Sequence, residues 1–233
     1  QGTAVTFSRQ VAYKLDKAVI NEASIDFEID GIATINWTGN ASIIEQVTPP
    51  LKADYDASTN PTYYINEAIT STGNFIRNRL TSVTITSDTN LDGSGTAGND
   101  YTLTLTGGNI TISNNNTFLT PETLGTVNQP IGHVTGARGI SGNMTCYLNT
   151  GDDSSSDLFK DLIAANTVVT SKFGLTFKIG GTNAPRLELA CATAHLELPT
   201  HTIEDVISMD IAFHGLPSTI SSTDEVTLKY VGA

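Results

Sequence analysis

Residues 101–113 read YTLTLTGGNITIS, and the alternation in that stretch constrains the chain more than any other feature. Tyr101, Leu103 and Leu105 fall on one side of an extended backbone, and Thr102, Thr104 and Thr106 fall on the other. This is the pattern of a strand with one buried face. Gly107 and Gly108 are read as supplying the positive φ of a tight turn before Ile110 and Ile112 resume, which makes the segment a hairpin. The same period recurs in SIDFEID (Ile25, Phe27 and Ile29 against Asp26, Glu28 and Asp30), in KFGLTFKIGG (Phe173, Leu175, Phe177, Ile179) and in VISMDIAFHG (Ile207, Met209, Ile211, Phe213). The expectation is a mainly β, antiparallel fold.

Two segments compete for helix. SSSDLFKDLIAAN offers Ser156 as N-cap and Asp157 in the first turn, with Leu158, Phe159, Leu162 and Ile163 on one face and Asn166 as the stop. NPTYYINEAIT places Asn60 as cap and Pro61 at the first helical position, with Tyr64, Ile65 and Ile69 on one side.

The chain also writes one phrase twice. DGIATINWTGNASII (residues 30–44) and TGARGISGNMTCYL (residues 135–148) align with Gly31 on Gly136 and Ile35 on Ile140. A two-residue gap then lays Thr38, Gly39 and Asn40 on Ser141, Gly142 and Asn143. Each copy is followed by a polar loop, a helix candidate and an alternating strand, an order harder to match by accident than a few glycines. The expectation is two related β units, residues 1–100 and 101–233, the first incomplete at its start. The chain opens at Gln1, already inside a strand-like pattern, which fits a processed or an incomplete product.

Composition narrows the function classes. Lys and Arg number 12 against 24 Asp and Glu, a formal charge of -12, so the chain should repel nucleic acid and anionic membrane surfaces. No apolar run reaches the roughly 20 residues of a membrane helix, and QGTAVTFSRQ lacks a signal peptide's basic start and apolar stretch, so a soluble chain is expected. Cys146 and Cys191 stand in separate strand-like segments and read as two buried free thiols of a protein made in a reducing cytosol, with a disulfide as the alternative.

The segment NITISNNNTFLTPETLGTVNQPIGHVTGARGISGNMTCYL (residues 109–148), with the short helix and the closing strand VISMDIAFHGLPS, resembles the tail tube proteins of long-tailed, siphovirus-like bacteriophages. Residues 101–233 carry the resemblance, and residues 1–100 repeat it more weakly. It implies β-sandwich or barrel-like modules, each with a short flanking helix, joined into rings by sheets that continue between subunits. Stacked rings form a conduit through which DNA passes without specific binding. Single-module members assemble as hexamers, whereas a duplicated chain would fill two positions in a trimeric, pseudo-hexameric ring. The implied location is the virion tail after synthesis in the host cytoplasm, with other tail proteins as partners and no cofactor.

The excess of acid has two readings. A conduit for DNA should not grip phosphates, which makes Asp26, Glu28 and Asp30 candidates to line the lumen; alternatively, the charge keeps an abundant subunit soluble before assembly. In DTNLDGSGTAGND, Asp88, Asn90, Asp92 and Gly93 match the opening of a calcium loop, D-x-[DN]-x-[DN]-G. The twelfth position is Asn99 where a bidentate Glu is needed, and no helices flank the loop. A plain Gly- and Asp-rich connection therefore competes with a weak calcium site. His133, His195, His201 and His214 show no zinc-ligand spacing, and no nucleophile or phosphate-loop motif is present, so an enzyme is not expected. GGTNAPR reads as a turn, HLELPTH as a polar surface or inter-subunit contact, and Trp37 as core or interface. The competing readings are a carbohydrate-binding or adhesin-like β-sandwich, which exposed aromatic platforms would favour, and another virion structural part.

Overall fold

The computed structural model describes residues 12–47, 75–87, 99–119, 132–164, 173–203 and 207–232. Among them, in chain order, are β1 (Ala12–Asp16), β2 (Val19–Glu28), β3 (Thr34–Asn40), β4 (Ile43–Val47), β5 (Ser82–Ser87), β6 (Asp100–Leu103), β7 (Leu105–Ser113), β8 (Thr117–Leu119), β9 (Gly132–Val134), β10 (Gly139–Tyr147), α1 (Ser155–Ala164), β11 (Phe173–Ile179), β12 (Arg186–Leu196), β13 (Thr200–Ile203), β14 (Ile207–Gly215) and β15 (Thr227–Val231). The described residues are mainly antiparallel β, as the alternation predicts, with one short α-helix among them. The second helix candidate, residues 60–70, lies outside the described residues.

Of the described residues, one compact unit holds 22–37, 75–87, 99–115, 137–164, 173–203 and 207–232. Its sheet runs in the order β3-β2-β7-β10-β14-β12-β11-β5-β6, with β13 on β14 and β15 on β12. Strands from before and after residue 100 therefore share one sheet, with five late strands, β7 to β11, in an unbroken block between early β2 and early β5. Five strand spacings separate β2 from β11, about 24 Å if the sheet were flat. Yet the rings of Phe27 on β2 and Phe177 on β11 are 6.0 Å apart, and Phe177 is 5.4 Å from Phe213 on β14. The sheet folds over on itself, and its inner face is the core.

The alternation places that core. Tyr101, Leu103, Phe173, Leu175, Phe177, Ile179, Met209, Ile211 and Phe213 are all buried, as their period requires. The hairpin reading of residues 101–113 is corrected: β6 pairs with β5, and β7 pairs with β2 and β10. Gly107 and Gly108 lie inside β7, and what Gly108 supplies there is space. A Cβ on Gly108 would stand 2.7 Å from the Phe27 ring, and one on Gly142 of β10 would stand 2.7 Å from the Phe213 ring. Positive φ falls instead at Gly180 and Gly181, where GGTNAPR turns between β11 and β12. Ile29 stands past the end of β2 and is exposed, as are Ile207, Ile163 and Trp37, the last at 54%. The core reading of Trp37 is thereby overturned.

Helix α1 starts one residue before the expected cap. Ser154 accepts the Leu158 N–H through its backbone carbonyl, while the Ser155 hydroxyl donates to Tyr147 O and accepts from Asn149 N. Leu158 anchors the apolar face, and the Tyr101 hydroxyl donates to buried Asp161 at 2.9 Å. That contact and burial hold the Tyr101 phenol well above its ordinary pKa, burial being the larger cause.

The other unit holds residues 12–21, 38–47, 116–119 and 132–136 of those described. Besides the start of β2 and the end of β3, its described part holds two two-stranded pieces, β1 with β4 and β8 with β9. Leu15 is paired with Ile44 across β1 and β4, and both are exposed. Asn116 ties the entrance of β8 to the start of β2, its N–H donating to Asn21 Oδ1 at 2.7 Å and its amide to Ile20 O at 3.0 Å.

Candidate lumenal face

In an antiparallel pair, directly opposed residues share a face, so the register can be read across the sheet row by row. Ile25 and Phe27 point into the core, which turns Ser24, Asp26 and Glu28 outward. Glu28 is opposite Gly107, then Thr145, then Asp210, then Thr200. Asp26 is opposite Asn109, Asn143 and Ala212, and Ser24 is opposite Thr111, Ser141 and His214. The outer face of β2, β7, β10 and β14 is thus built of acids, hydroxyls, amides and one histidine, with Gly107 and Ala212 among them. No Lys or Arg stands in these rows.

Local bonds hold this face in place. The Thr145 hydroxyl donates to Asp210 Oδ1 at 2.6 Å, Asn109 N–H donates to Asn143 Oδ1 at 3.2 Å, and the Thr106 hydroxyl donates to Thr145 O at 3.2 Å. His214 Nε2 lies 3.2 Å from Glu197 Oε1, and its neighbour across the β12–β14 pair is His195. Asp26 and Glu28 are exposed, and Asp30 is exposed in the turn that follows β2.

Elsewhere the outer surface of the same sheet mixes signs. Lys178, Glu188 and Lys229 are opposed across β11, β12 and β15, and Arg186 Nε donates to Glu188 Oε1 at 2.6 Å. Arg186 is the main cause that draws the Glu188 carboxyl below its usual range. The absence of cations on β2, β7, β10 and β14 is therefore local.

The remaining expected sites fall as follows. Asp88, Asn90 and Asp92 lie outside the described residues, so their calcium reading stands where the sequence left it. Among the described residues no three His, Cys, Asp or Glu side chains converge to hold a metal ion, and no helix is long and apolar enough to cross a membrane. Cys146 and Cys191 are buried free thiols, pushed up to about 12 and about 11 chiefly by burial. His201 packs edge-on to Phe159 with ring centres 4.2 Å apart, tying β13 to α1, a contact that its spacing in HLELPTH does not encode.

Comparison with known proteins narrows the reading. No model of a known protein family matches the chain. A solved structure of the anti-feeding prophage cap, a tube-terminating cap, covers 67% of this chain and 91% of its own at 14% identity, with a TM-score of 0.38. Tail tube protein pb6 of Escherichia phage T5 is 33% identical over 221 residues, which is 93% of this chain and 45% of pb6. The chain spans about half the length of that relative. Along nearly all of its own length, then, the chain is homologous to a bacteriophage tail tube protein.

Proposed function

We propose that the chain is a structural subunit of a bacteriophage tail tube, assembling with copies of itself and other tail proteins into stacked rings around a passage for DNA. The observation that carries this is the homology to a tail tube protein over 93% of the chain. The outer face of β2, β7, β10 and β14 supports it physically. DNA carries one negative charge per about 1.7 Å of axis, and a wall of acids and neutral polar groups offers its phosphates no partner. Asp26, Glu28 and Asp30 stand on or beside that wall and face the passage.

Two observations bear on the ring. The repeated phrase favours one chain in two positions, hence three chains per pseudo-hexameric ring. The sharing of one sheet by strands from before and after residue 100 favours one module per chain, hence six. The mass of an isolated ring, measured under native conditions, separates the two. The exposed Trp37 favours the carbohydrate-binding alternative, and a glycan-binding chain that stays monomeric would establish it.

Negative-stain microscopy of the purified chain, or of the particle that contains it, is expected to show rings or tubes. Exchange of Asp26, Glu28 and Asp30 for Lys is expected to leave assembly intact and slow DNA release. Persistent monomers would overturn the tube, and normal release from normal tubes would place the acids on the exterior.

A further inference from the structure

Ile220 is the most exposed large apolar residue among those described, at 104% of its reference accessibility, and it does not stand on a loose loop. Ser218 N–H donates to Asp224 Oδ1 at 3.0 Å, and Thr219 N–H donates to the Ser222 hydroxyl at 2.9 Å. Ser222 N–H in turn donates to Thr219 O at 3.0 Å. The loop's two sides are also fixed to the sheet unit. Leu216 N–H donates to Thr193 O on β12, and Arg138 bridges Glu225 and Asn114. These bonds spend loop entropy in the free chain and leave an isoleucine in water, an arrangement that lowers the cost of binding.

Arg138 and Asn114 place this loop at the end of the wall where Glu22, Ser113 and Gly139 are aligned. At the opposite end, where Glu28 meets Gly107, is a cleft of about 120 Å³. Phe27, Ile29 and Leu105 give it an apolar lining, and Asn78, Arg79 and Thr81 close one side. Asn78 is only 6% exposed, and its Oδ1 and the Thr81 hydroxyl oxygen are buried without a hydrogen-bond partner beside the cleft. Arg77 and Arg79 are exposed beside it, in a chain of net charge -12, while the loop carries Asp224. A bond from Ser218 is the main cause that keeps the Asp224 carboxyl below its ordinary range, and hence charged.

We propose that Ile220 of one copy seats in the Ile29–Leu105–Asn78 cleft of the next copy, with Asp224 meeting Arg77 and Arg79. Knob and cleft stand at opposite ends of the same strands, so the contact is head to tail and repeats from copy to copy. The six residue steps of β2 from Glu22 to Glu28 set the ends about 20 Å apart. The proposal rests on the tube reading and names a surface within it.

The test is a pair of cysteines, Arg79→Cys with Ile220→Cys, in the full chain under mild oxidation. Native Cys146 and Cys191 are buried with raised pKa values, so they contribute little background. A ladder of disulfide-linked chains is expected from the double variant and not from either single one. Independently, Ile220→Asp should melt as the parent does, because Ile220 buries nothing in the free chain, yet need roughly tenfold more protein or higher to assemble. Tubes of the double variant without a ladder, or Ile220→Asp tubes at the parent's concentration, would overturn the contact and leave the tube reading standing. A parent chain that forms no tubes would overturn that reading instead.

Discussion

The two compact units are both antiparallel β, yet they use apolar side chains in opposite ways. In the sheet unit, strands far apart in order bring Phe27, Phe177 and Phe213 together, and the residues around them are shielded from water. In the ribbon unit, β1 with β4 and β8 with β9 are two-stranded, and Tyr13, Leu15, Ile44, Leu119 and Val134 remain exposed. A two-stranded ribbon has too little sheet to bury a face, and in water it is marginal alone. The comparison teaches that an apolar residue in a strand contributes stability only where a second layer meets it. Among the described residues, the burial that stabilises the fold therefore resides in the sheet unit.

Alkaline titration should separate the units most strongly. Tyr101, Cys146 and Cys191 all stand in the sheet unit, and the folded state raises the pKa of each. A raised folded pKa means that the native chain holds the proton more tightly, so this stability is full below the unfolded value and falls as pH climbs toward the folded one. The thiols lose theirs from about 9 upward, Cys191 until about 11 and Cys146 until about 12, at about 1.4 kcal/mol per pH unit for each group. Guanidinium melts at pH 8 and at about pH 11 should therefore differ by several kcal/mol. Equal midpoints would mean that the sheet interior admits water to these groups.

Much of the sheet was legible in the sequence, because a period of two marks inward residues without any knowledge of partners. Tyr101, Phe177 and Phe213 needed nothing more. Partners were not legible: β5 meets β11 across nearly ninety positions of chain, and only the folded sheet sets that register. Gly108 misled for a related reason, since a glycine admitting a ring from a distant strand looks locally like one permitting a turn. Asp26 and Glu28 were legible as outward-facing. That β7, β10 and β14 extend their wall without a cation was not, because the neighbours come from three remote segments. The buried Tyr101–Asp161 pair and the His201–Phe159 contact carried no signal, each joining a helix residue to a strand far away in sequence.

Truncating Phe177 tests the comparison directly. Phe177→Ala removes the ring between Phe27 and Phe213 and should cost about 3–5 kcal/mol, read as a lower guanidinium midpoint. Ile44→Ala in the ribbon removes an exposed side chain and should stay within about 0.5 kcal/mol. Comparable losses would show that Ile44 is covered in solution and that the ribbon has a core of its own.

The finest test uses the repeated phrase, whose two copies align Gly39 with Gly142. Both glycines stand where a backbone carbonyl comes too close for a side chain: an added Cβ would be 2.5 Å from Val19 O at Gly39 and 2.3 Å from Asn109 O at Gly142. The local constraint is the same, but the surroundings differ. At Gly142 the methyl also meets the Phe213 ring, and both neighbours are held by the core, so Gly142→Ala should cost about 1–3 kcal/mol of global stability. At Gly39, which is exposed in the ribbon unit, β2 and β3 can part locally. The reduced freedom of the unfolded chain returns about 0.4–1 kcal/mol in both variants, which leaves Gly39→Ala near neutral in a global melt. Its effect should appear instead as faster amide exchange at residues 19–21 and 38–40, with exchange across β7 and β10 unchanged. If Gly39→Ala lowers the global midpoint as far as Gly142→Ala does, the two units unfold as one, and the energetic division between them is wrong.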